Sequence, residues 1–150
     1  MKRTDVHLPE VKAMYDATLL EIVPDYGFGG KQLTHAIVTE GGKVLRMSGF
    51  PAISDKGVVG KGDIGLQTTQ ALELIKLTVE RAGGTWDDII HLTFYFTDRK
   101  QFCEKALPAR WVFFKKHSKT GKSPCITSIG IKELMHPDYL IEIEAVAVWD

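Results

Sequence analysis

Residues 140–148 read LIEIEAVAV. In an extended chain Ile141, Ile143, Ala145 and Ala147 fall on one face, and Glu142, Glu144 and Val146 fall on the other. Such a strand has one apolar face to bury and one face carrying two carboxylates. The first needs a covering layer. The second loses free energy on burial unless its charges find partners. A natural companion is residues 89–97 (IIHLTFYFT), an almost uninterrupted apolar run whose weak alternation predicts cover on both faces.

The remaining elements extend outward from these two strands. Residues 125–131 form a further strand. Residues 34–39 (THAIVT) and 44–48 (VLRMS) flank Glu40-Gly41-Gly42-Lys43, a pattern that predicts a hairpin. Residues 50–62 are a glycine-rich loop. Asp63 is placed to cap a helix over residues 64–82, with Ala71, Leu74, Ile75, Thr78 and Ala82 at helical spacing, and Gly83-Gly84 ends it. Thr85-Trp86-Asp87-Asp88 reads as a short capped turn. Residues 99–117 carry a second helix through Phe102, Ala106, Ala109, Phe113 and Phe114, and Pro108 predicts a kink or a start near Leu107. The order is β-β-α-β-α-β-β: an α+β fold, a mixed sheet with two helices on one face. The other face needs cover, and a homotrimer with its sheets facing inward would supply it. Residues 1–32 read as an N-terminal extension on a core domain, 33–150. The extension holds an amphipathic helix with Leu8, Val11, Met14, Tyr15 and Leu19 near one face, followed by a break at residues 23–30 (VPDYGFGG).

Hydrophobic residues make up 44% and charged residues 25% of the 150 residues, the balance of a soluble globular domain. Nineteen Lys and Arg offset nineteen Asp and Glu. Zero net charge argues against a nucleic-acid partner, which calls for a basic surplus, and is compatible with self-association. Two cysteines, Cys103 and Cys125, make no disulfide framework. With no apolar signal core and no run long enough to span a bilayer, the expected setting is cytoplasmic, away from membranes. Five scattered histidines show no zinc spacing, so no metal is expected.

Several segments, taken in order, resemble the RidA/YjgF family of reactive-intermediate deaminases, formerly called L-PSP endoribonucleases. They are Met47-Ser48-Gly49-Phe50-Pro51; Gln67-Thr68-Thr69-Gln70-Ala71-Leu72; residues 82–90 (AGGTWDDII); Phe94-Tyr95-Phe96-Thr97-Asp98; Phe113-Phe114; Pro124; and Ile141-Glu142-Ile143-Glu144-Ala145. The resemblance covers about residues 33–149. It implies a chorismate-mutase-like fold and a homotrimer with clefts between subunits. It further implies hydrolysis of 2-imino or enamine acids to 2-keto acids and ammonia, with no metal or organic cofactor.

Three polar contacts of the family are replaced here by aliphatic residues. Ile126 stands where the family has an arginine that grips the substrate carboxylate, a bidentate geometry isoleucine cannot provide. Leu33 takes the place of a tyrosine, and Leu107 that of an asparagine. Glu142 matches the family's site glutamate, thought to orient the attacking water. Its two readings are that water-positioning carboxylate or a strand carboxylate paired to a cation. Thr127 and Ser128 offer hydroxyls. Gly49 and Phe50 lie at the cleft by resemblance, with backbone groups near Gly49 able to hold substrate. His35 reads as a proton shuttle or a satisfied strand histidine. Arg110 reads as a substitute cation or, preferably, a solvated helix arginine. Cys125 reads as a small buried hydrophobe rather than a nucleophile. Lys115 to Lys122 form the one basic run, read as a solvated helix end.

The expected function is deamination of a small, unstable enamine or imine acid, with the altered pocket suggesting a larger conjugated substrate such as a 2-aminomuconate. The rival is a small-ligand-binding or regulatory trimer without catalysis. RNA cleavage ranks last because of the charge balance.

Overall fold

The computed structural model describes residues 1–19 and 34–150, so Leu33 and the break at 23–30 lie outside the described residues. Along the chain run β1 (Lys2–Val6), α1 (Pro9–Leu19), β2 (Ala36–Glu40), β3 (Lys43–Pro51), the short β4 (Ile53–Ser54) and β5 (Gly57–Val58), and α2 (Ile64–Arg81). A 3-10 turn (Trp86–Asp88) leads into β6 (Ile89–Phe96). A continuous helical run follows, made of α3 (Arg99–Gln101), a π turn (Phe102–Ala106) and α4 (Leu107–His117), and then come β7 (Cys125–Gly130) and β8 (Ile141–Trp149).

β8 is an inner strand of a four-stranded sheet ordered β3-β8-β6-β7. It is antiparallel to β3 and β6, while β7 runs parallel to β6, so the sheet is mixed. Ile141, Ile143, Ala145 and Ala147 are buried, together with Leu92, Phe94 and Phe96 of β6 and Met47 of β3. The helices supply Ile64, Ala71, Leu72, Ile75 and Val79 from α2, and Phe113 and Phe114 from α4, to the same core. The apolar face of residues 140–148 is therefore the helix-covered face, as its alternation predicts. Cover on both faces of residues 89–97 is not complete within the chain: Thr93 is buried, but His91 and Tyr95 are only half-buried.

The helix boundaries follow their local chemistry. The Asp63 carboxylate accepts from the backbone N–H groups of Gly65 (2.9 Å) and Leu66 (3.1 Å) at the start of α2. Past its end Gly83 takes φ 95°, a left-handed conformation that suits glycine. Pro108 lies inside this continuous run directly after the π turn, where the regular i−4 bonding is already interrupted, so the sequence signal marks an irregularity in the helix rather than its start. The preceding π turn is closed by the Leu107 N–H on the Phe102 carbonyl, and it adds a residue to the helix ahead of Arg110.

Three features depart from the sequence reading. β2 and β3 are not paired as the expected hairpin: β2 pairs antiparallel with β1, and β3 with β8. The Gly41-Gly42 turn thus passes the chain between two sheets. β1 itself lacks an apolar alternation that would announce it. It is fastened by Arg3, whose largely buried guanidinium bonds Asp5 (2.6 Å), the Asp87 carbonyl (3.3 Å) and the Ser123 carbonyl (2.8 Å). The glycine-rich loop 50–62 contains the β4–β5 hairpin. In α1, Met14 is 65% exposed. Among the described residues, no helix is long and apolar enough to cross a membrane.

Asp87 organises the loop that leads to β7. Its carboxylate accepts from the Ser118 hydroxyl (2.6 Å), the Lys119 N–H (2.9 Å), the Thr120 hydroxyl (3.0 Å) and the Thr120 N–H (3.3 Å). Partial burial pushes this carboxyl up, but the hydrogen bonds outweigh it and hold it below its ordinary value of 3.8. The stabilisation is complete above that unfolded value and disappears as pH falls through the lower folded one. Asp87→Asn is therefore expected to destabilise the protein at neutral pH by about 1 kcal/mol. Thermal melts over a pH series should show its gap to the parent closing below pH 3.8.

Candidate functional site

The strand registers sort the candidate residues by face. Ile129, Tyr95, Glu142 and Pro51 form one row across β7, β6, β8 and β3. Next to it, on the same face, Thr127 and Thr93 lie in line with Glu144. Ser128, Phe94, Ile143 and Phe50 make a row on the opposite, helix-covered face, as do Ile126, Leu92, Ala145 and Met47. Within one chain, Glu142 and Gly49 are brought together. Thr127 shares the face of Glu142 but stands two strands away, roughly 10 Å. Ser128, Ile126 and Phe50 point to the other side.

The contact between Glu142 and Gly49 depends on a bulge. The β3–β8 register shifts between Met47 and Phe50, so Ser48 and Gly49 together oppose one residue of β8. A Cβ at position 49 would overlap a carboxylate oxygen of Glu142 and lie 2.9 Å from its Cγ and Cδ. Only glycine lets this carboxylate settle against the backbone of β3. Among the described residues Glu142 has no hydrogen bond or ion pair, so the cation-paired reading finds no cation here.

The second carboxylate of β8 has a different position. The Tyr95 hydroxyl donates to Glu144 Oε1 at 2.8 Å. That hydrogen bond holds the Tyr95 phenol above its ordinary value of 10.0, and burial and the charges of Glu144 and Glu142 act in the same direction. Two like residues at i and i+2 on one strand thus differ: Glu144 is committed and Glu142 is not. Tyr95 was not singled out from the sequence. Its signal was a hydroxyl on the parity of His91 and Thr93 inside an apolar run.

Arg110 is a correction. The preferred reading of a solvated helix arginine fails, since the residue is 6% exposed with its guanidinium 5.3 Å over the Phe94 ring. Phe94 faces the helices and neighbours Ser128 in register, so Arg110 lies on the helix-covered side of the sheet. His35 adjoins β2. Its Nδ1 accepts from the Leu8 N–H (3.0 Å) and its own N–H donates to the Val6 carbonyl (3.0 Å), which ties it to the β1–α1 junction. A neutral ring bonded in this way carries its proton on Nε2. That atom is buried with no hydrogen-bond partner among the described residues. Cys125 faces His91 in register, yet burial pushes its thiol up despite the nearby Arg3, which disfavours the thiolate.

Two measurements check this geometry. Gly49→Ala is expected to keep its secondary structure and to push the flexible Glu142 carboxylate aside, at a cost of no more than about 1 kcal/mol. Pairing it with Glu142→Ala should recover much of that loss in a urea-denaturation double-mutant cycle, whereas additive losses would contradict the contact. In an ultraviolet titration the Tyr95 phenol should ionise above its ordinary value of 10.0. Glu144→Gln should bring that tyrosine down.

Comparison with known proteins agrees with this architecture. A family model described as Endoribonuclease L-PSP matches residues 31–149. A RutC family protein of Pyrococcus horikoshii is 36% identical over 107 residues, covering 71% of this chain and 79% of that one. The crystal structure of the Rid family protein YyfB from Yersinia pestis covers 99% of this chain and 100% of its own, at 27% identity and TM-score 0.75. Escherichia coli TdcF, solved with bound serine, covers 75% of this chain and 85% of its own, at 27% identity and TM-score 0.65. The chain belongs to the L-PSP endoribonuclease family, the RidA/YjgF group, and its mixed α+β sheet is the fold of that group.

Proposed function

We propose that this protein is a cofactor-independent deaminase of a small enamine or imine acid, working as a homotrimer in clefts between subunits. The observation that carries the reading is the Glu142 carboxylate: half-buried, seated on Gly49 beside a bulge, and free of internal partners among the described residues. Family membership supports a small-molecule deaminase or ligand-binding role. A cleft between subunits also suits residues that one chain keeps on opposite faces of its sheet, because the face of one subunit can meet an edge of the next.

In this reaction an enamine first takes a proton on carbon and becomes the imine. Glu142 orients water and accepts one of its protons as the oxygen adds to the C=N carbon. Glu142 returns that proton to the carbinolamine nitrogen, the hydroxyl proton follows it as the C=O forms and the C–N bond breaks, and ammonia and a 2-keto acid result. Ser128 and backbone groups near Gly49 hold the substrate. With Ile126 packed against the core, the position where the family carries its carboxylate-gripping cation offers none, so the substrate carboxylate is held by neutral groups.

The test is ammonia release from freshly generated 2-iminobutyrate, 2-aminoacrylate and 2-aminomuconate. Glu142→Gln is expected to lower kcat by roughly 100-fold or more. No release from any substrate by the parent protein would exclude these reactions. It would favour the second reading, a ligand-binding trimer, which Ile126 supports by offering no charge where a carboxylate would be gripped.

A further inference from the structure

Gln67 and Gln70 stand one turn apart on α2, and the function proposed above gives them no part. Gln67 is fully buried. Its Oε1 accepts from the Leu140 N–H (2.9 Å), and its Nε2 donates to the Asp138 carbonyl (2.8 Å) and the Gly60 carbonyl (3.3 Å). Both amide protons are thus used, and the side chain cannot turn without stranding buried polar groups. The Leu140 carbonyl is held as well, by the Thr97 N–H at 3.2 Å. Gln70 Nε2 donates to the Ile53 carbonyl at 2.9 Å.

Both anchored points lie just beyond one end of the β3–β8 pair, the end nearer the Glu142–Gly49 contact. Leu140 lies two residues before Glu142, and Ile53 lies two residues after Pro51, the register partner of Glu142. The residues just after β3 and just before β8 are therefore fixed to the same helix turn at the end where the carboxylate sits. An outer ion pair, Lys61 to Asp138 at 3.0 Å, joins the same two loops.

We infer that Gln67 and Gln70 are positioning residues, a two-armed clamp through which α2 sets the placement of the Glu142 carboxylate over Gly49. The inference of a catalytic consequence rests on the deaminase reading, while the geometry itself does not. Misplacing a reacting group by about 1 Å can cost on the order of 100-fold in rate.

The experiment uses Gln67→Met and Gln70→Met, which keep side-chain bulk but remove the hydrogen bonds. Val79→Ala, buried at the far end of α2, is the control for lost stability. The side-chain carboxyl of Glu142 is followed by carbon-13 NMR, assigned by its disappearance in Glu142→Gln, and ammonia release is measured in parallel. Both Gln variants should shift the Glu142 resonance and lower kcat roughly 10- to 100-fold, with KM changed less than about twofold. Val79→Ala should lower the melting temperature without either effect. If Gln67→Met does not fold, the Gln70→Met arm decides alone. An unmoved Glu142 resonance in a folded Gln variant overturns the clamp, as does an equal shift in Val79→Ala. A shifted resonance together with full activity in Glu142→Gln upholds the clamp and overturns the deaminase role of Glu142 instead.

Discussion

The position of β8 governs the rest of the molecule. It is paired on both edges, with β3 and β6, and its alternating residues form the floor of the core beneath α2 and α4. Because the side-chain period of a strand is two, slipping β8 by one residue would exchange four buried apolar side chains for two carboxylates and two valines. The cost of burying those charges under the helices excludes the slip. Once the register is set, Glu142 and Glu144 must emerge on the other face, and every distance at the candidate site follows from that.

Two further constraints then divide the carboxylates. β6 brings Tyr95 within hydrogen-bonding reach of Glu144. β3 bulges at Ser48 and Gly49, and the missing side chain at 49 makes room for Glu142. A tyrosine hydroxyl and an absent methyl group thus give two identical side chains different chemical situations: one hydrogen-bonded, one available. The helical run on the opposite side shows the same indirect effect of backbone geometry. The π turn before α4 alters which residues face the sheet, and Arg110 comes to lie over Phe94.

Local chemistry was the legible part. The Asp63 cap, the Gly83 terminus, the Thr85–Asp88 turn and the helix irregularity beside Pro108 each depend on neighbours within a few residues, and such contacts can be read along a chain. Glu142 was legible because its alternation and its match to the family coincide. Tyr95, the two glutamines and the burial of Arg110 were not. Their partners are 49, 17, 73 and 16 positions away, at Glu144, Ile53, Leu140 and Phe94. The β2–β3 hairpin was misread for a related reason: a Gly-Gly turn reports that the chain reverses, not which strand it then joins.

By itself the sequence determined the order of the main strands and helices from β2 onward, the apolar faces of β8 and α2, the family and the strand carrying the candidate glutamate. Those properties reside in periodicity and in residues close together in the chain. Only the tertiary structure decided that β1 pairs with β2, that Ser128 and Glu142 lie on opposite faces of one chain's sheet, and that Gly49 receives the carboxylate. It also decided that two glutamines of one helix hold the residues just after β3 and just before β8. These are contacts between segments far apart in sequence. They are selected by the joint requirement that apolar faces be buried and buried polar groups be bonded, a condition that no single segment can satisfy or reveal alone.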